Sequence, residues 1–322
     1  MRIVFRADAT PQIGAGHVMR LAAIAEEAIG RDVECFFVGE IRDVEWLEKY
    51  VHEIGFSKIL GPESISLVMS TESVLILDSY RIPVNDPSLN VKKWKNIVLI
   101  ADVQTPNYSA NLIVFPSFGS IILPQENSYV LSGPKVIPFR KSISKPGKTV
   151  ISSNPRILIF GGGTDQFGMA PRIANEIQQK YQYSEANFIY HDSTEIESMD
   201  SRFRVFPFGN SLDALINHSD IVITSASTSS FEVLAQGIPT GIIRLIDNQD
   251  QNFETLSQSG LASRIGIRSN EGEWSFFTQA LHKLIEDREY RKGLSQVNSE
   301  IFDFQGASRI LNYIENNFFD LA

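Results

Sequence analysis

The feature that most constrains this chain is a short apolar run that recurs in both halves and gives way each time to a polar turn or a helical pattern. The first half carries RIVFRAD, DVECFFVG, SVLILDSY, NIVLIADV and ANLIVFPS; the second carries RILIFGGG, NFIYHD, FRVFPF, DIVITSA and TGIIRLI. Apolar residues at successive positions, rather than alternate ones, describe strands buried on both faces, as parallel sheets require. Between the runs lie helix-like stretches such as VMRLAAIAEEAIG, APRIANEIQQKYQ, SLDALINHS and SSFEVLAQG. Strand and helix in alternation predict an α/β protein with parallel sheets.

The stretch from 119 to 155 breaks this rhythm and is rich in Ser, Pro, Gly and Lys, so its end reads as an interdomain linker. The expectation is two doubly wound, Rossmann-like domains, 1–145 and 155–322, facing each other across a cleft. The last segment, FQGASRILNYIENNFFDLA, is expected to close the second domain as a helix. No internal repeat of solenoid type is visible.

Charge and composition narrow the function classes. A net charge of −9 over 322 residues argues against a broad nucleic-acid or anionic-membrane surface, while leaving room for a local anion pocket. No run approaches the roughly 18–20 apolar residues of a membrane span. The opening apolar stretch is short and holds Arg2, Arg6 and Asp8, unlike a secretory leader. Cys35 is the single cysteine, which fits a reducing compartment and a core thiol. A cytoplasmic protein is the expectation; the oligomeric state stays open.

Four stretches could carry chemistry. In IGAGHVMR, Gly14 and Gly16 allow close backbone approach, and a helix start with unpaired N–H groups follows. His17 at that place is a candidate proton acceptor near neutral pH. Met19 stands where a dinucleotide fingerprint would have its third glycine. In RILIFGGGTDQFG, a strand runs straight into Gly161, Gly162 and Gly163, a tight turn or a diphosphate cradle. No Lys follows at P-loop spacing. In DIVITSASTSSFEVLAQG, six of the seven residues from Thr224 to Ser230 carry hydroxyls, among them Thr228 and Ser229, and Glu232 follows in the next helix. These groups suit either a Ser-rich helix cap or a phosphate-and-ribose site. Asp78 and Tyr80 end the run SVLILDSY, at the sheet edge where open α/β folds bind ligands. Asp8 and Asp102 hold similar strand-end positions, but without His or Cys partners at metal-site spacing, so no metal or other cofactor is expected. His52, His191, His218 and His282 sit in no comparable setting, and neither a G-x-S-x-G elbow nor HExxH occurs.

Taken together, these motifs resemble those of the UDP-2,4-diacetamido-2,4,6-trideoxy-β-L-altropyranose hydrolases of pseudaminic acid biosynthesis, relatives of MurG-type glycosyltransferases. FRADATPQIGAGHVMRLAAIA is similar to the family opening R-x-D-x-S-x-x-I-G-x-G-H-x-x-R, which matches Arg6, Asp8, Ile13, Gly14, Gly16, His17 and Arg20. LDSY resembles its D-S-Y, FGGGTD its F-G-G-S-D, and STSSFEVLAQGIP with DNQ its uridine-binding region. The resemblance implies a GT-B fold, a UDP-sugar substrate, His17 as the group that activates water at C1, and Asp8 and Tyr80 placing the sugar. It also implies Glu232 on the ribose and Asn248 and Gln249 near the diphosphate or sugar. The sequence departs from the pattern at Ala101-Asp102 (family D-D) and Phe115-Pro116-Ser117 (family D-Q-N). Ser227 and Phe231 replace a glycine and a tryptophan. Transfer to an alcohol acceptor is the alternative to hydrolysis.

Overall fold

The computed structural model describes residues 1–102, 105–119, 128–143, 152–163, 165–181, 187–190, 202–208 and 212–319. Thr164, His191 and part of the 119–155 stretch lie outside them. The chain divides into two compact units, one of Met1–Lys141 with Asp303–Ala322, the other of Ser142–Phe302.

The first unit is built on seven strands: β1 (Arg2–Arg6), β2 (Glu34–Val38), β3 (Lys58–Leu60), β4 (Ser73–Leu77), β5 (Asn96–Ile100), β6 (Leu112–Phe115) and β7 (Tyr129–Ser132). They pair in parallel in the order β3-β2-β1-β4-β5-β6-β7. Alternate residues serve opposite faces. Ile3 and Phe5 pack under helices α1 (Gly16–Ile29) and α2 (Glu45–Ile54), whereas Val4 joins Leu75, Leu77 and Trp94 on the other side. Two wet faces would not tolerate such strands, which is why the runs are apolar throughout.

The second unit repeats the winding. Its strands are β8 (Ile157–Phe160), β9 (Asn187–Tyr190), β10 (Phe203–Phe206), β11 (Ile221–Ser225), β12 (Thr240–Arg244), β13 (Ser263–Arg268) and β14 (Trp274–Phe276). Their order is β10-β9-β8-β11-β12-β13-β14, parallel except for β14. Helices α3 (Met169–Lys180), α7 (Thr278–Glu286) and α8 (Arg288–Ile301) cover the face of Ile157 and Ile159; α4 (Leu212–Asn217) and α5 (Thr228–Ala235) cover that of Leu158 and Phe160. Helix α6 (Asp250–Gln258) follows β12.

Two expectations change. The closing helix α9 (Gly306–Phe318) belongs to the first unit, where Ile310, Leu311 and Ile314 are buried in the core of α1, β1 and β2. Each such side chain contributes about 1.5–3 kcal/mol when fully buried, and Gly306 lets the helix start against the carbonyl of Ile137, where a Cβ would lie 1.9 Å from the oxygen. The irregular stretch from 119 also contains a strand. β7 is an edge strand with half-exposed side chains, so it lacks the doubly apolar signature.

Candidate functional site

In both sheets the strand order reverses beside the first strand, between β1 and β4 and between β8 and β11. Chain leaves the carboxyl ends of these neighbours in opposite directions, which opens a crevice suited to a ligand. The sequence motifs fall on these two points.

In the first unit, the β1–α1 loop brings Gly14 (φ +80°) to the start of α1. His17 and Arg20, three residues apart, share one face of that helix. Both reach Asp78, one residue past β4, whose amide donates to the Arg6 carbonyl at 3.0 Å. His17 Nδ1 lies 2.6 Å from Asp78 Oδ1. Arg20 donates from Nε to Asp78 Oδ2 and from Nη2 to Oδ1, both at 2.8 Å. A carboxylate so engaged offers only lone pairs, so Nδ1 carries the proton, and the tautomer this selects has its lone pair on Nε2. The 3.1 Å approach of Arg20 Nη2 to Nδ1 then sets two donors side by side on one acceptor.

All three side chains are buried. Burial opposes the Asp78 charge, but Arg20 and His17 outweigh it and hold the carboxyl below its ordinary range. Burial likewise works against the Arg20 guanidinium, and Asp78, with Tyr80 and Asp102, more than offsets it.

Tyr80 completes the wall. Its ring meets the His17 ring edge-on, with centroids 4.4 Å apart and planes at 85°. Its hydroxyl donates to Asp102 Oδ2, the same oxygen that lies 3.8 Å from Arg20 Nη1. Burial pushes the Tyr80 phenol far up, and Asp102 adds to the shift although Arg20 opposes it. Tyr80 is therefore a donor, not a base.

Asp102 is the residue that sequence reasoning undervalued. The signal was present, because Asp102 ends the run of β5, next to β4 in the sheet. Asp8 is held apart from this set: it pairs with Arg6 and accepts the Glu40 amide at 2.8 Å. Gly16 begins α1 and contributes backbone only.

In the second unit, Gly161–Gly163 follow β8 and Gly162 adopts φ +99°. A Cβ built on Gly162 would lie 3.7 Å from Ser225 Oγ and 4.0 Å from Ser227 Oγ, so the glycine turn and the hydroxyl turn adjoin. The two helices beginning here are capped differently. At α3, the buried Asp165 carboxylate accepts the amides of Met169 (2.8 Å) and Ala170 (3.0 Å), occupying the anion position itself. At α5, the N-cap residue Ser227 makes no capping hydrogen bond to the helix amides, and its hydroxyl shares a 2.8 Å hydrogen bond with Ser225 instead. Thr228 and Ser229 form the partly exposed first turn, and Glu232 lies one turn on.

Two predicted site residues do structural work. Ser230 is fully buried and donates its hydroxyl to the Ser227 carbonyl at 2.7 Å. Gln249 is buried, and its side-chain oxygen accepts the Leu245 amide at 2.9 Å, bracing the turn after β12. From the same polar cluster Asn252 reaches the hydroxyl turn, at 3.4 Å from the Ala226 carbonyl, while Asn248 is half-buried. His218 bonds the Ala214 carbonyl and His282 stacks on Tyr181. Among the described residues no three His, Cys, Asp or Glu side chains gather as a metal site, and no helix is long and apolar enough to cross a membrane.

No family model matches the chain. It is 24% identical over 272 residues to an uncharacterized protein of Methanocaldococcus jannaschii, covering 76% of this chain but only 55% of that one. It is 23% identical over 271 residues to the UDP-2,4-diacetamido-2,4,6-trideoxy-beta-L-altropyranose hydrolase of Campylobacter jejuni, covering 81% of this chain and 97% of the relative. Identity to the spore coat polysaccharide biosynthesis protein SpsG of Bacillus subtilis is 19% over 342 residues, 98% of each. Among solved structures, MurG of Acinetobacter baumannii superposes with a TM-score of 0.62 at 13% identity, covering 98% of this chain and 99% of that one. S. aureus MnaA in complex with UDP gives 0.61 at 12%, covering 98% and 96%. The chain has the two-unit α/β architecture of GT-B proteins, and its similarities run to proteins of nucleotide-sugar chemistry.

Proposed function

We propose that the chain is a hydrolase that releases UDP from a UDP-2,4-diacetamido-2,4,6-trideoxyhexose, a step of nonulosonic (pseudaminic) acid synthesis. The observation that carries this reading is the hydrogen bond of His17 Nδ1 to a buried, Arg20-clamped Asp78. It leaves Nε2 to take a proton from water as the water oxygen attacks C1. The C1–O bond to the diphosphate breaks, UDP departs with the bonding electrons, and Asp78 stabilises the imidazolium formed, the logic of a base oriented by a carboxylate. Asp8, on the same sheet edge, and the phenol of Tyr80 place the sugar.

The leaving diphosphate is assigned to Gly161–Gly163 and the start of α5, with Thr228 and Ser229 as donors. Donors fixed before the reaction stabilise developing charge without reorganisation. Glu232 is assigned to the ribose hydroxyls, and Asn248 to the diphosphate or sugar. Gln249 and Ser230 support these loops from beneath. The similarity to the Campylobacter jejuni hydrolase over 97% of its length supports water as the acceptor.

Incubation with a panel of UDP-sugars and no acceptor tests the reading. UDP release that collapses in His17→Ala is the expected result. Release only after an alcohol is added would make the chain a glycosyltransferase, a reading that the MurG-like fold favours. Stabilisation by UDP with no turnover on any sugar would make it a binding protein.

A further inference from the structure

His17 is held from two sides, and the mechanism above uses the second only to place the sugar. The first is Asp78, clamped by Arg20. The second is Tyr80, whose ring lies against the imidazole and whose hydroxyl is bound by Asp102. Arg20 ties the two sides together, because Nε and Nη2 serve Asp78 while Nη1 faces Asp102. Asp102 is itself held by Thr105: its amide donates to Thr105 Oγ1 at 2.8 Å, and the Thr105 amide donates to the Asp102 carbonyl at 3.1 Å. Its backbone is thus fixed just past the end of β5.

We propose that Asp102 is a positioning residue for His17: by accepting the Tyr80 hydroxyl and facing Arg20, it fixes the two groups that hold the imidazole in place. The inference rests on the reading of His17 as the proton acceptor. A base displaced by an ångström loses rate without losing substrate affinity, so the signature is a fall in kcat rather than a rise in KM.

Three variants and two measurements test it. Asp102→Ala removes the acceptor, Asp102→Asn keeps an oxygen for the Tyr80 hydroxyl, and Tyr80→Phe keeps the ring but not the hydroxyl. The first measurement is kcat and KM for UDP release. The second, independent of turnover, is the 15N-resolved proton signal of His17 Nδ1–H. In Asp102→Ala, kcat is expected to fall about 10- to 100-fold with KM within about twofold, and the imidazole signal to broaden or vanish. Tyr80→Phe is expected to broaden the signal in the same way, and Asp102→Asn to restore most of both readouts. Two results would overturn the proposal: a sharp, unchanged signal in Asp102→Ala or Tyr80→Phe, or an Asp102→Asn as impaired as the alanine variant. Should Asp102→Ala fail to fold, the other two variants decide the matter. Should wild-type protein hydrolyse no UDP-sugar, the hydrolase reading falls, and the imidazole signal still judges the role of Asp102.

Discussion

Gly161 and Asp165 exclude one another's side chains: a Cβ at Gly161 would lie 1.8 Å from Asp165 Oδ1, inside the carboxylate that caps α3. Gly161→Ala therefore forces Asp165 off the amides of Met169 and Ala170. Loss of the cap costs about 0.5–2 kcal/mol, and the adjoining Gly162 turn moves with it. Thermal melting is expected to show the lower stability, and calorimetry a weaker UDP affinity. Asp165→Ala should reproduce the stability loss alone.

Replacing His17 or Asp78 separates chemistry from folding on the proposed reading. His17→Ala is expected to lower kcat for UDP release by about 10²- to 10⁴-fold with little change in stability. Asp78→Ala removes the carboxylate hydrogen-bonded to the buried Arg20 guanidinium and leaves it only the more distant Asp102, at a cost of up to about 3–5 kcal/mol. Urea denaturation of the two variants should divide along that line.

Acid stability follows from the same residue. The Asp78 carboxyl is held below its ordinary value in the folded protein, against burial, by Arg20 and His17. A carboxyl with a depressed folded value contributes stability above its unfolded value, near 3.9, and that contribution is lost as pH falls through the folded value. Asp303 is also depressed, chiefly by its hydrogen bond from Arg309, but its side chain is more exposed and its contribution more screened. Below about pH 4 the wild type should lose stability steadily, and Asp78→Asn should flatten that slope more than Asp303→Asn. Denaturation midpoints between pH 2 and 7 would show the reverse order if the exposed pair dominated.

Glu232 offers a clean measure of the nucleotide reading. A carboxylate bonded to ribose hydroxyls contributes about 1.5–3 kcal/mol, so Glu232→Ala should weaken UDP about 10- to 100-fold. Unaltered affinity would remove Glu232 from the site.

Burial, with a smaller push from Glu34, drives the Cys35 thiol up to about 12. Reactive cysteines are thiolates. Alkylation at pH 8 is expected to proceed only after denaturation, as intact-mass measurement would show.

The strands legible in sequence are those buried on both faces. β1, β4, β8 and β11 each read as an unbroken apolar run, and they are the strands that flank the two reversals in sheet order. The short or edge strands β3, β7 and β14 expose part of their side chains and blend into loops. Residues of the first site were visible singly, because strand ends and a glycine-rich helix start are local signals. Their partnership was not, since 61 residues separate His17 from Asp78 and only the sheet joins them. Periodicity likewise gave α9 an apolar face without saying which core would receive it. Nor does polarity tell that Gln249 and Ser230 brace buried turns, a role that only the folded neighbours of their side chains reveal.

The return of α9 to the first unit has a consequence for how the chain is made. The second unit is continuous in sequence and complete once residue 302 has left the ribosome, whereas the first is split around it. Until Ile310, Leu311 and Ile314 emerge, the core beside α1 lacks its lid and apolar surface stands open to solvent and to other nascent chains. Synthesis therefore runs counter to the usual order: the unit begun first is completed only after the second has been made.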